Sequence, residues 1–578
     1  MSKLGNFVWS IADQLRGPYK PHQYGAVVLP FTILRRLDCV LAPSRAQVRE
    51  LAAKYSDGAL DVQVKRKTGL SFYNTSAFDF ARLLEDPEGL RANLVDYITG
   101  FSANIDVFER FKFDNELATL DEKNRLYLIT SKFAEVDLHP DTVPNAEMGD
   151  LFEYLIYKFA EASNEEAGEH YTPRDAIRLM VDLLFAEDSA ALMEPGTVRA
   201  AYDPTAGTGG LLSVAAERLL ERNPGARLRL YGQEINDQSY AICKSDMIVK
   251  GQDAGNIRLG DTLTDDLFFD RTFDYALSNP PFGVAWASAQ EAVQKEALIP
   301  GSRFSHGLPS VSDGAMLFLC HLASKMRPAH EGGGRAGIVL SGSPLFNGAA
   351  ESGPSKIRQW LLEEDLVEAI IALPTNMFYN TGIATYIWIL DNTKRAERQG
   401  KIQLIDGSSF WTKMRKNLGS KGREVDETSR DRILALYDAF NEADPELSKV
   451  FTANDFGYWT ITVERPLLDN DGNPVTDSKG KRKPDAKKRD TENVPFTYGG
   501  NTAGDSGRYE TIKAYFEAEV LPHVPDAWVD TKKTKVGYEI PFTRHFYKYV
   551  PPRPLAEIDA DLEKQVAKIM ELLREVEG

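Results

Sequence analysis

Val198-Arg199-Ala200-Ala201-Tyr202, followed at once by Asp203-Pro204-Thr205-Ala206-Gly207-Thr208-Gly209-Gly210, is the passage that decides the fold. A short strand-like run ends in an acid and a proline, a glycine turn follows, and the helical run Leu211 to Arg222 begins directly behind it. Glycines between strand and helix let the main chain approach a ligand and aim free N–H groups at it. The spacing departs from GxGxxG, because the sixth position counted from Gly207 is Leu212, and this disfavours nicotinamide or flavin binding. By itself such a turn also suits plain packing of strand against helix. Asp203 weights it toward a ligand, since an acid at the carboxyl end of a strand can meet a cationic ammonium group.

Outward from this turn, residues 151–395 alternate short apolar runs with helical patterns. Candidate strands are Val198 to Tyr202, Leu228 to Tyr231, Ile257 to Gly260, Phe273 to Leu277, Ala336 to Leu340, Val367 to Leu373 and Ala384 to Leu390. Such alternation predicts an α/β, Rossmann-like domain with a mostly parallel sheet, whose ligands sit beyond the carboxyl ends of the strands. Two acids fall at such ends. Glu234 can accept from both hydroxyls of a ribose, and Asp261 can accept from an adenine amino group.

Asn279-Pro280-Pro281-Phe282 follows the strand Phe273 to Leu277. Two prolines stiffen the backbone and remove two N–H donors. The Asn279 side-chain carbonyl and the Pro280 main-chain carbonyl can then act as paired acceptors, and Phe282 offers a π-face. That set suits a planar ring carrying an amino group. Without the glycine turn, a proline-rich corner over a buried phenylalanine would explain the tetrapeptide equally well.

Together these motifs resemble the amino-methyltransferases, and specifically the adenine-specific DNA enzymes with cofactor motifs ahead of the catalytic one. His170-Tyr171-Thr172-Pro173-Arg174 narrows the resemblance to the methylation subunits of type I restriction-modification systems, as do the helical N-terminal region and Gly537-Tyr538-Glu539-Ile540-Pro541-Phe542. Phe282 stands where some relatives have Tyr, and Glu169 where many have Gln. The resemblance implies S-adenosyl-L-methionine as cofactor, held by Glu169, His170, Tyr171, Thr172, Pro173, Arg174, Asp203, Pro204, Gly207, Thr208, Gly209, Gly210, Glu234 and Asp261. It implies Asn279, Pro280, Pro281 and Phe282 as catalytic residues acting on an adenine flipped out of duplex DNA. Phe378, in Asn376-Met377-Phe378-Tyr379-Asn380, is expected to cover the second face of that base. No metal is expected. The implied partners are duplex DNA, a specificity subunit, a second methylation subunit and a restriction (helicase-nuclease) subunit, since no GxxxxGK[ST] occurs in this chain. The rival readings are an amino-methyltransferase for RNA or protein and a non-catalytic scaffold of the same fold.

Composition agrees with a globular protein of about three domains: 578 residues, 43% hydrophobic and 26% charged. Residues 1–150 read as an N-terminal helical domain and 151–395 as the methyltransferase domain. Residues 396–578 read as an α/loop extension containing a basic loop at 466–490 and ending in a long helix at 555–577. The loop's lysines can touch phosphate or simply face solvent, and no internal repeat is evident. The terminal helix carries a near-heptad seam, Leu555, Ile558, Leu562, Val566, Ile569, Leu573 and Val576, that can meet a partner helix or the chain's own body. Cys39, Cys243 and Cys320 form no CxxC pair, and with no secretory start or membrane-length apolar run a cytoplasmic location is expected. A net charge of −17 is awkward for a chain that grips DNA alone, because phosphate neutralisation supplies most of such affinity.

Overall fold

Seven of the strands in the computed structural model run in the order β3-β2-β1-β4-β5-β7-β6, and only β7 is antiparallel to its neighbours. The structure describes residues 10–11, 13–20, 23–144, 147–148, 155, 172–186, 192–249, 252–379, 381–549 and 554–577. The strands are β1 Val198–Asp203, β2 Arg227–Glu234, β3 Ile257–Leu259, β4 Tyr275–Ser278, β5 Arg335–Ser341, β6 Val367–Ala372 and β7 Thr385–Asp391. Every residue of β4, β5, β6 and β7 is buried. That is why these segments read as continuous apolar runs rather than alternating ones: helices cover both faces of the sheet. β4 begins at Tyr275, and Phe273 makes an isolated bridge to Met326 instead.

The N-terminal region is helical. The helices used below are α1 Tyr24–Leu41, α2 Phe113–Glu122, α3 Leu126–Ala134, α4 Arg174–Ala186, α5 Gly210–Arg222, α6 Asp237–Val249, α7 Gln290–Ala297, α8 Ala315–Lys325, α9 Gly353–Glu363, α10 Glu427–Ala439 and α11 Leu555–Glu577. Helix α1 is apolar nearly all round, so it lies at the centre of its bundle. Its Phe31 ring stacks on Phe133 of α3 at 5.2 Å and meets Phe113 of α2 edge-on at 5.0 Å. Ala241, Ile242 and Ile248 of α6 join the same core, and Lys244 of α6 pairs with Asp106 at 2.7 Å. The bundle is thus seated on a helix of the sheet domain.

The region after residue 395 departs from the expected α/loop character. Strand β8 (Ile402–Asp406) pairs parallel with β6, and β11 (Ser448–Phe451) pairs antiparallel with β8, so the central sheet grows to nine strands. Strands β9 (Thr412–Leu418) and β10 (Lys421–Glu424) form a hairpin. A second sheet contains β12 (Gly457–Glu464), with β13 (Asp490–Pro495) on one side and β14 (Trp528–Val529) and β15 (Lys535–Tyr538) on the other. Its core is Trp459, fully buried, with its ring 4.3 Å from Phe496 and its Nε1 donating to Asp505. Residues 466–489, the expected basic loop, are an excursion between β12 and β13.

Residues 541–578 form a separate unit. Its main element is α11, 23 residues long. The seam residues Leu555, Leu562, Val566 and Ile569 are each more than half exposed.

Candidate active site

The motifs meet at the carboxyl ends of β1 to β4. There a cavity of about 270 Å³ is lined by Thr172, the turn from Pro204 to Thr208, Gly210, Glu234, Asp261, Asn279 and Pro281. At Gly209 the chain takes φ +85°, and a Cβ there would lie 2.9 Å from Cys243 Sγ, so both conformation and space require glycine. The turn is further tied down by its neighbours. Ala206 N donates to the Gln233 carbonyl at 3.0 Å, and Thr262 Oγ1 donates to the Pro204 carbonyl at 2.6 Å.

Glu234 is buried, and its two carboxylate oxygens accept from Gly207 N (2.7 Å) and Asn236 N (2.8 Å). Two backbone donors hold the carboxylate in a fixed plane at the cavity wall. Asp261 accepts from Leu263 N at 2.9 Å and stays partly exposed. Asp203 lies beneath the turn, wholly buried and outside the cavity lining. Its Oδ1 accepts from the Thr205 amide (2.9 Å) and hydroxyl (3.2 Å), while Oδ2 is buried with no hydrogen-bond partner. Burial pushes its pKa up to about 7.

Asn279 shows a comparable imbalance. Its Nδ2 donates to Thr172 Oγ1 at 2.8 Å, whereas its Oδ1 is buried with no partner. A buried amide oxygen left bare costs about 1–3 kcal/mol, and such atoms are rare in folded proteins. Ser278 links this segment to the glycine turn, through hydroxyl contacts from Ser278 to Thr205 (2.7 Å) and from Thr205 to Asp203. Phe282 is half-buried and touches Phe378 edge to face, with ring centroids 5.5 Å apart and planes at 89°. A planar base can enter between these rings only if they part. Lys421 Nζ holds this corner by donating to Asp175 (2.9 Å) and to the Met377 carbonyl (3.1 Å). Of the sequence-predicted segment 169–174, Thr172 lines the cavity, Pro173 is buried, and Arg174 faces Glu217 at 3.7 Å. Glu169, His170 and Tyr171 lie outside the described residues.

Several cavity residues escaped the sequence reading. Ile235, 66% exposed, directly follows Glu234 and offers an apolar face beside the ribose-type carboxylate. Trp286 and Phe318 close another side. Trp286 is fixed by Nε1 donating to the Ser310 carbonyl (2.9 Å) and by its own N–H donating to the Val311 carbonyl (3.0 Å). Arg303 braces the wall from behind. It donates to the carbonyls of Thr262 (2.6 Å) and Leu263 (3.1 Å), pairs with Glu296 of α7 and contacts His321 of α8.

The residues present fit S-adenosyl-L-methionine. A glycine turn leaves room for a close main-chain approach, a planar-held carboxylate suits a ribose, an apolar residue sits beside it, and a bare carboxylate oxygen lies under the turn. The fit agrees with relatives of known sequence. A methylase subunit of the type I restriction enzyme MjaIX from Methanocaldococcus jannaschii is 27% identical over 482 residues, covering 80% of this chain and 81% of that one. A methylase subunit of the type I enzyme EcoKI from Escherichia coli is 24% identical, covering 63% and 66%. Among solved structures, the type I restriction-modification methyltransferase subunit from Streptococcus thermophilus aligns with a TM-score of 0.61 at 24% identity, over 78% of this chain and 95% of that one. The HsdM N-terminal domain matches residues 4–133. The N-6 DNA methylase profile matches residues 144–457, more than half of the chain. The chain therefore belongs to the N-6 DNA methylase family, with the N-terminal arrangement of the type I methylation subunits.

Proposed function

We infer that this chain methylates N6 of an adenine flipped out of duplex DNA, as the methylation subunit of a type I restriction-modification complex. The observation that carries the reading is the bare, buried Oδ1 of Asn279, held in place from the other end of the amide by Thr172. An adenine amino group brings the donor that oxygen lacks. The Pro280 carbonyl is the natural acceptor for the second N–H. With both hydrogens held by these acceptors, the amino nitrogen is fixed in position and electron density on it is raised, so that its lone pair, which points out of the ring plane, can face the methyl donor. S-adenosyl-L-methionine, when bound, would supply the electrophilic methyl group, with a neutral thioether as the leaving group. The two acceptors favour the positive charge that builds on N6 during transfer, and the surplus proton passes to solvent. Phe282 supplies the stacking face, and Phe378 closes over the base once the edge-to-face pair parts. The protein's contribution is alignment and charge stabilisation rather than covalent catalysis.

Cofactor binding is assigned to Asp203, Pro204, Gly207, Thr208, Gly209, Gly210, Glu234 and Asp261, with Thr172, Pro173 and Arg174 beside them. Transfer of tritiated methyl to duplex DNA, with none to RNA or protein, is the test. Labelling of RNA or protein instead would favour the rival amino-methyltransferase, and absence of cofactor binding would favour a scaffold.

Sequence choice is assigned to a specificity subunit, with a second methylation subunit and a restriction subunit completing the assembly. The apolar seam of α11 is the candidate contact with the specificity subunit. Deleting Leu555–Gly578 should abolish co-purification of the two chains; unchanged assembly would remove that assignment.

A further inference from the structure

The excursion from Pro466 to Arg489 is a built object. Three turns succeed one another at a spacing of eight residues, opened by Asp469, Asp477 and Asp485. This overturns the expectation that no internal repeat exists. Each aspartate folds its own turn: Oδ1 of Asp469 accepts from the amides of Asp471 and Asn473, Oδ1 of Asp477 from those of Lys479 and Lys481, and Oδ1 of Asp485 from that of Lys487. Gly472 and Gly480 complete the first two turns with φ of +83° and +79°. At the base, Leu467 N donates to the Lys483 carbonyl, Lys483 N to the Val475 carbonyl and Val475 N to the Leu467 carbonyl, each at 2.8 Å. Three equivalent residues thus close a ring of main-chain hydrogen bonds, and the knob has a pseudo-threefold core with three projecting tips.

Charge is divided unevenly among the tips. The first, Asp469 to Asn473, is acidic. The other two, from Asp477 to Arg489, carry seven basic side chains against two acidic ones. Arg482 is used in docking, over the Trp528 ring and onto the Asp526 carbonyl, and Arg489 pairs with Glu464. Lys479, Lys481, Lys483 and Lys487 are exposed, and none has an ion pair within 4 Å among the described residues.

The knob also has a defined place. β15 is bolted to the loop that leaves β5 at its carboxyl end, the edge on which the cavity opens. Glu351 N donates to the Val536 carbonyl, Ile540 N to the Leu345 carbonyl, and the buried Arg358 donates to the carbonyls of Tyr538, Pro344 and Asn347. The same loop reaches the cavity wall, because Ser343 donates to Asp313 beside the lining residue Gly314. These anchors gather at the Gly457 end of β12, while the knob leaves from the Glu464 end. Eight strand residues span about 25 Å, less than one turn of duplex at about 34 Å.

We propose that this knob is a second DNA contact, in which Lys479, Lys481, Lys483 and Lys487 engage backbone phosphates of the duplex whose adenine occupies the cavity. The proposal rests on the DNA reading above. It also answers the charge mismatch, since a chain of net charge −17 carries here a rigid cationic tip that needs no base contacts.

The test is binding of a fluorescent 40-base-pair duplex to the full-length chain in its assembled complex, across a salt series. The quadruple variant Lys479→Glu/Lys481→Glu/Lys483→Glu/Lys487→Glu should bind about tenfold or more weakly at low salt, with the slope of log K against log salt shallower by about 2–4. Asp471→Lys, which adds a cation at the acidic tip, should tighten binding by a few fold, a gain that misfolding cannot mimic. Unchanged affinity and slope in both variants would overturn the proposal while leaving normal methylation by the parent chain, and so the DNA reading, intact. Unchanged DNA binding with loss of complex assembly would also overturn it, in favour of a protein partner. Failure of the unsubstituted complex to bind duplex at all would take down both readings.

Discussion

The two ends of the central sheet both bury charge, and they treat it in opposite ways. At the amino ends of β1, β4 and β5, Asp274 accepts from Ala200 N at 2.8 Å and pairs with Arg327 at 2.7 Å, with Arg199 nearby. Arg335, itself buried, meets Glu368, Asp391 and the Tyr437 hydroxyl, and Arg398 lies 3.6 Å from Glu368. Every charge there faces an opposite one. At the carboxyl ends, Asn279 Oδ1 and Asp203 Oδ2 are buried and bare, and the one cavity that gathers the motifs opens between β1, β2, β3 and β4. Burial of polar groups is therefore not what marks the functional edge of this sheet. Bare atoms alone do not mark it either, since Arg335 Nε and Glu368 Oε1 are also buried without a hydrogen-bond partner. What marks it is a bare acceptor at or beneath a cavity, because only there can a ligand arrive to satisfy it.

Substitution at each end should separate the two kinds of polarity. Asn279→Ala should lower the methyl-transfer rate by about 10²–10³-fold, in the range found when one preorganised hydrogen-bonding group is lost at a reacting centre. Cofactor affinity by calorimetry and the thermal midpoint should stay near those of the parent chain. Arg335→Met should do the reverse. It strands Glu368 and Asp391 and should cost about 3–5 kcal/mol of stability in denaturant unfolding, while the folded fraction at permissive temperature keeps its rate. Equal rate losses in the two variants would dissolve the distinction between the edges.

Much of the functional edge was legible because its signals are local. Asp203 and Glu234 are the last residues of β1 and β2, and Asn279 to Phe282 directly follows β4, so the strand ends located them. The Thr172–Asn279 hydrogen bond spans 107 residues and has no local signature. Trp286 and Phe318 are ordinary aromatic residues until the chain brings them to one wall. The region after residue 395 failed for a different reason. β12 is buried on both faces, so Tyr458 to Val463 shows no alternation against solvent, and β8 and β11 are four or five residues long. The eight-residue repeat is carried by Asp469, Asp477 and Asp485, and the position of Gly472 and Gly480 is taken by Lys488 in the third copy. Its hydrogen-bonded ring uses main chain alone, which leaves almost no trace in side-chain identity.

Thr172 offers a finer cut at the same edge. Thr172→Val keeps the shape and removes the hydroxyl that receives Asn279 Nδ2, so the amide can turn and present its nitrogen to the substrate half of the time. The transfer rate should fall by about tenfold, through kcat more than through cofactor KM, since only orientation is lost. Thr172→Ser should restore most of it. A Val variant with parental kcat would mean that the prolines alone orient Asn279.

Asp203 should give the smallest and most diagnostic effect, a dependence on pH. Its carboxyl is pushed from 3.8 up to about 7 by burial, so near neutrality the folded chain holds it partly protonated. A cationic ligand above the turn favours the ionised form. Cofactor affinity should therefore weaken as pH falls through about 7, by at most about tenfold per pH unit, and binding near neutrality should release protons. The stability of the ligand-free chain carries the opposite sign. The folded state keeps a proton that the unfolded state has lost, so this group's contribution falls as pH rises between about 4 and 7. Asp203→Asn should flatten both profiles and should bind cofactor with one pH-independent affinity below that of the parent at pH 8. Calorimetry at pH 6, 7 and 8 in buffers of differing ionisation enthalpy reads affinity and proton release together. A parental profile in the Asn variant would place the titrating group elsewhere, and would leave the bare Oδ2 of Asp203 without a ligand to explain it.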